Sequence, residues 1–229
     1  MAGGASGSLL DSRSVPYVAP FVAFLAFLAF RQVFPLADLT EQIVCAAAIT
    51  LLLALVSRPI IDLRVSNIPG TVAVGVAVFV LWIGPDRLIP GYRDFWLFSN
   101  PLTGRVKTGI SEASRGNAAV LALRAARASI LVPILEELFW RAWLMRWLIR
   151  PDFENVKLGT YSAKAFWIVA LLFAAEHGPY WEVGLVAGVI YNWWMVRTRS
   201  LGDVILAHAI TNACLSAYVM FAGRWEYWA

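Results

Sequence analysis

Six residues in the second half of the chain carry side chains fit for hydrolysis although their surroundings are apolar: Glu136, Glu137, Arg141, His177, His208 and Asn212. At about 100° per residue, Glu137 and Arg141 stand four apart on one helix face, and Glu136 points about 100° away. The first two can pair and offset the burial of each other's charge, which leaves Glu136 in a different environment. His177 closes the run Phe173-Ala174-Ala175-Glu176-His177 and meets a helix stop at Gly178-Pro179. His208 and Asn212 share a face by the same four-residue spacing. These are the only two histidines of the chain. A carboxylate can take a proton from water, and imidazole and amide donors can hold the oxyanion of a tetrahedral intermediate. A serine protease fits poorly, because no Gly-x-Ser-x-Gly elbow is present. Zinc has weak support: there is no HExxH, although Glu136, His177 and His208 could supply three ligands.

For these groups to cooperate, separate helices must bring them to one depth. Counted from the nearest basic end, Glu136 is 14 residues from Arg150, His177 is 13 from Lys164, and Asn212 is 13 from Arg199. Those ends fall on one side of the membrane, so at 1.5 Å per residue all three groups lie roughly 20 Å from it.

The membrane itself follows from composition. The 229 residues are 60% hydrophobic and 15% charged, with a mean hydropathy of +0.67; soluble domains are about 45–50% apolar and roughly a quarter charged. The net charge of +4 is spread between apolar runs, which argues against nucleic-acid binding. Cys45 and Cys214 sit inside apolar runs and form no metal cluster. Ionisable residues at membrane depth are expensive, so each of the five ionisable ones named above needs an explanation.

The pattern predicts an all-α, polytopic transmembrane helix bundle of about seven spans, with eight if Pro133 marks a hairpin. The spans are 14–30, 42–57, 65–85, 117–150, 162–177, 182–196 and 202–222. The whole chain reads as one domain: a flexible N-terminus at 1–13 with no removable signal peptide, a connecting loop at 86–116, and motif-bearing helices over about 117–222. Phe95, Trp96, Leu97 and Phe98 read as an interfacial patch, and Trp225, Tyr227 and Trp228 as an interfacial anchor. Gly184 and Gly188 form a GxxxG that suits close helix packing. No internal repeat of the transporter type is present, and the sequence sets no oligomeric state.

At the six residues the sequence resembles the CAAX-protease and bacteriocin-processing (CPBP, or Abi) family of intramembrane proteases. Its three signatures, Glu-Glu-x-x-x-Arg, Phe-x-x-x-His and His-x-x-x-Asn, match Glu136 through Arg141, Phe173 through His177, and His208 through Asn212, in order. The match covers about 100 of the 229 residues. The runs Val15-Pro16-Tyr17-Val18-Ala19-Pro20 and Tyr191 through Gly202 further resemble the exosortase-associated bacterial branch.

The resemblance implies a glutamate protease using neither metal nor cofactor. Glu136 would be the base that activates water, His177 would help hold that water, and His208 and Asn212 would form the oxyanion hole. Glu137 and Arg141 would support them. It also implies a membrane-protein or lipidated-peptide substrate and a multi-pass location in the bacterial inner membrane. Two departures stand out: Ala142 where the signature arginine is often followed by Gly, and Glu176 where a neutral residue is expected, read here as a group facing water at a helix end. A catalytically inactive member acting as a membrane scaffold or immunity factor is the alternative, and a proton-coupled carrier is a third reading.

Overall fold

The computed structural model describes residues 13–104, 106 and 108–228. The readings of a flexible N-terminus and of no signal peptide concern residues that, Arg13 and Ser14 apart, lie outside this set. Seven long helices follow the order expected from hydropathy: α1 Val15–Val33, α2 Asp38–Ile60, α3 Ile68–Leu88, α4 Ala118–Trp147, α5 Ala163–Ala175, α6 Trp181–Thr198 and α7 Leu201–Ala222. No β-strand occurs among the described residues. Five of the helices, α1 to α4 and α7, are long and apolar enough to cross a membrane. The other two form a hairpin. With 13 residues, α5 is about 20 Å long, so the turn that follows it stays within the bundle's depth.

Apolar side chains face outward along the bundle, among them Leu25, Leu55, Val80, Trp167, Leu171 and Trp193. Such a surface is stable only against lipid. The polar groups face inward, where Glu137, Arg141, Asn192 and Asp203 are fully buried.

Pro133 does not make a hairpin; α4 runs unbroken from Ala118 to Trp147. The helix meets the proline by widening into a π turn at Arg127–Leu131, and a second π turn follows at Leu138–Leu144. Proline lacks the N–H that would pair one turn back, and a π turn relieves that conflict locally.

Two buried anchors set the register of α7. At its start, Asp203 Oδ1 accepts from Asn67 N at 3.0 Å and Thr71 Oγ1 at 2.8 Å, while Oδ2 accepts from Ser66 N at 3.1 Å and from the Ser66 hydroxyl. Further on, α3 and α7 approach so closely that a Cβ on Gly75 would lie 2.6 Å from Ala207 O. Glycine is required there, and the contact places His208 one residue beyond.

The loop after α3 is pinned at Arg93, which pairs with Asp86 at 2.8 Å and Glu182 at 2.7 Å and donates to Pro179 O at 2.7 Å. Of the expected interfacial patch, Phe95, Trp96 and Leu97 are exposed, but Phe98 is buried against Tyr92. The C-terminal aromatics also depart from expectation. Tyr227 and Trp228 are buried, because Tyr227 donates to Asp86 and Trp228 O takes hydrogen bonds from Gly109 N and Arg124. They pack inward and are not an interfacial anchor.

Candidate active site

Glu136, His177, His208 and Asn212 line a single cavity of about 240 Å³. Three segments supply them, α4 for Glu136, the turn after α5 for His177, and α7 for His208 and Asn212, and Trp82 of α3 closes one wall. A buried water needs only about 10–15 Å³ of such space, so the cavity has room for a hydrolytic water beside the polar groups. The depth matching read from the sequence is thus realised in space.

The two glutamates take separate roles, as their helical offset requires. Glu137 Oε1 accepts from Arg141 Nη1 at 3.0 Å, with both side chains fully buried. The same oxygen accepts from His208 Nδ1 at 2.8 Å. Glu136 turns into the cavity instead. It makes no hydrogen bond with another described residue, and its buried Oε2 has no partner. An unpaired buried carboxylate oxygen is costly, and such a group is available to take a proton from water.

His177 is aimed by its own backbone. Its Nδ1 donates to Phe173 O at 2.6 Å; a carbonyl only accepts, so in the neutral ring Nε2 keeps its lone pair. Gly178, at φ +52°, reverses the chain just after it. Gly184 on α6 leaves space for the ring, since a Cβ there would sit 3.1 Å from His177 Nδ1. Gly188 likewise lets α6 approach Ala170 and Phe173. The GxxxG packs helices as expected, and one of its glycines seats a residue of the site. Trp82 meets the His177 ring edge to face at 5.2 Å.

His208 is held from both sides, by Glu137 at Nδ1 and by the Tyr191 ring stacked at 5.2 Å. Asn212 Nδ2 donates to Ala128 O at 2.8 Å, which leaves its second amide hydrogen for the cavity. Among the described residues, no three His, Cys, Asp or Glu side chains converge as a metal ion would need. Ala142 is buried in the second π turn, and Glu176 is exposed just past the end of α5.

Sequence reasoning missed three supports. Asn192 accepts from Arg141 Nε at 3.0 Å and donates to Phe166 O at 2.8 Å. Tyr191 donates to Thr211 Oγ1 at 2.7 Å, and Thr211 donates to Gly75 O at 2.8 Å. A neutral polar residue inside an apolar helix was the available signal for each.

Comparison with curated proteins and with solved structures gives no match. Residues 118–214 match the family model described as type II CAAX prenyl endopeptidase Rce1-like. The match begins with α4 and ends two residues past Asn212, so it contains all six residues read from the sequence. Over this segment, which carries the three motifs, the chain is similar to the Rce1-like family.

Proposed function

We propose that the protein is an intramembrane endopeptidase that hydrolyses a peptide bond near the C-terminus of a membrane-associated, lipidated protein, using a water activated by Glu136. The observation that carries this reading is Glu136 itself: a buried carboxylate without a partner, in one cavity with His177, His208 and Asn212. The similarity of residues 118–214 to the CAAX prenyl endopeptidases supports the substrate class. The whole chain, 1–229, acts as one protease domain in a bacterial inner membrane, with the chemistry carried by the motif-bearing helices over about 117–222.

In the proposed reaction Glu136 takes a proton from water, and the oxygen attacks the scissile carbonyl carbon. His177 Nε2 accepts the water's second hydrogen and fixes its lone pair toward that carbon. The carbonyl oxygen becomes an oxyanion held by the Asn212 amide and His208 Nε2. In this step His208 Nδ1 stays on the Glu137 carboxylate, which holds the ring while Nε2 serves the oxyanion. Collapse of the intermediate breaks the C–N bond, and the Glu136 proton passes to the departing amine.

The test is cleavage of a prenylated peptide ending in Cys-aliphatic-aliphatic-X by purified protein. Glu136→Ala is expected to abolish it while the thermal unfolding profile is kept, and a strong chelator is expected to leave wild-type turnover unchanged. Full activity in Glu136→Ala sinks the reading, and loss of activity with the chelator replaces it with a metal-dependent one.

A further inference from the structure

Glu136, His208 and Asn212 stand on long helices, but His177 lies between the end of α5 and the Gly178–Tyr180 turn. Its hydrogen bond to Phe173 O fixes the ring relative to α5. That leaves open what fixes the turn relative to the rest of the bundle.

Arg93, in the loop after α3, supplies the support. Its Nη1 donates to Pro179 O at 2.7 Å and meets Glu182 at 2.7 Å, while Nε donates to Asp86 at 2.8 Å. Asp86 belongs to α3 and Glu182 to the first turn of α6, so one guanidinium joins the end of α3, the turn after His177 and the start of α6. The side chains of Arg93, Asp86 and Glu182 are only 14%, 7% and 17% exposed, and at that burial charge-assisted hydrogen bonds hold far better than surface pairs do.

A second route runs through rings. The Arg93 guanidinium lies over Tyr180 at 4.2 Å, Tyr180 stacks on Trp82 with centroids 6.3 Å apart, and Trp82 meets His177 edge to face at 5.2 Å. The loop that carries Arg93 also touches the turn directly. Leu97 O accepts from Trp181 Nε1 at 3.2 Å, and a Cβ on Gly178 would lie 3.1 Å from Thr103 O.

We propose that Arg93 is a positioning residue for His177, setting the turn through Pro179 O and the ring through the Tyr180–Trp82 stack. This rests on the protease reading above and adds to it a residue outside the three motifs. Without the guanidinium, Asp86 and Glu182 lose their shared counter-charge and repel each other, so the start of α6 moves away from α3 and takes the turn with it.

The chain has only two histidines, which makes the test direct. Protein isotopically labelled at histidine nitrogen gives two sets of imidazole signals, assigned with His208→Gln. Arg93→Gln is expected to move the His177 set, to leave the His208 set in place, and to lower kcat at least about tenfold with little change in KM. Should Arg93→Gln not fold, Tyr180→Leu cuts the ring route with every charge kept, and it too is expected to move the His177 signals and lower kcat. Unmoved His177 signals, or equal movement of both histidines, overturn the proposal and reduce Arg93 to a support of the fold. Moved signals with unchanged kcat overturn it as well, since the displaced ring then has no part in the reaction. A wild type that cleaves no peptide overturns the protease reading itself, and with it any positioning role in that reaction.

Discussion

His208 and Arg141 share one oxygen: Glu137 Oε1 accepts from His208 Nδ1 at 2.8 Å and from Arg141 Nη1 at 3.0 Å. Through Arg141 the same carboxylate reaches Asn192 and the Gly188 carbonyl on α6, and the Arg141 guanidinium lies over the Phe173 ring at 4.5 Å. Glu137 thus ties α4 to α6 and α7 and reaches α5 through Phe173, which makes it the joint on which the cavity's geometry depends. Its neighbour Glu136 is left uncommitted by the same arrangement.

Replacing Glu137 with Gln keeps the shape and removes the charge. Arg141 then lies buried with no counter-ion, a situation that typically costs about 3–5 kcal/mol. Thermal unfolding in detergent should register the loss, and His208 should lose its fixed orientation, so turnover falls as well. A double-mutant cycle with Arg141→Met is expected to give a coupling above about 1 kcal/mol. Additive effects would mean the pair is not a working contact.

Gly184→Ala separates stability from function. In the interior of α6 alanine is favoured over glycine by about 1 kcal/mol, but its Cβ would press on the His177 ring at 3.1 Å. The ring must move, and misplacement of a reacting group by about 1 Å can cost 100-fold in rate. We expect a fall of at least about tenfold in kcat with the melting temperature unchanged or raised. Unaltered turnover would place His177 outside the reaction.

A different glycine tests the framework. Gly75→Ala puts a Cβ 2.6 Å from Ala207 O, a backbone atom that cannot rotate away. Overpacking of this kind typically costs about 1–3 kcal/mol, and here it also pushes α7 off α3 and shifts His208. Unfolding temperature and turnover should drop together, in contrast to Gly184→Ala.

Much of this site is legible in the sequence because burial in a membrane filters what can appear there. The six residues stand out as polar exceptions, and helical spacing alone assigns Glu137 to Arg141 and frees Glu136. The helix order follows from hydropathy. What escapes is whatever depends on which helix packs beside which. Asn192 and Thr211 acquire their roles only when α6 meets α4 and α7, and nothing local to them specifies the partner. Tyr227 and Trp228 read as interfacial because aromatic residues often are; their burial comes from Asp86 and Arg124, 141 and 104 residues away in sequence. Pro133 was ambiguous for a related reason, since a proline is compatible with either a hairpin or a widened helix until its neighbours are known.

That proline makes Asn212 a test of two functions at once. In the π turn of Arg127–Leu131, a carbonyl looks five residues ahead for its donor, and for Ala128 that residue is Pro133, which has no N–H. Asn212 Nδ2 supplies the missing donor at 2.8 Å. Asn212→Ala should therefore lose about 1–3 kcal/mol from the uncapped carbonyl and, separately, about 100- to 1000-fold in kcat if the amide also holds the oxyanion. Pro133→Ala in the same background restores a backbone donor at 133. The double variant should recover most of the stability, measured by thermal unfolding, and none of the turnover. Recovery of both would reduce Asn212 to a helix-capping role, whereas recovery of neither would show that the carbonyl of Ala128 was never the point of its conjunction with Pro133.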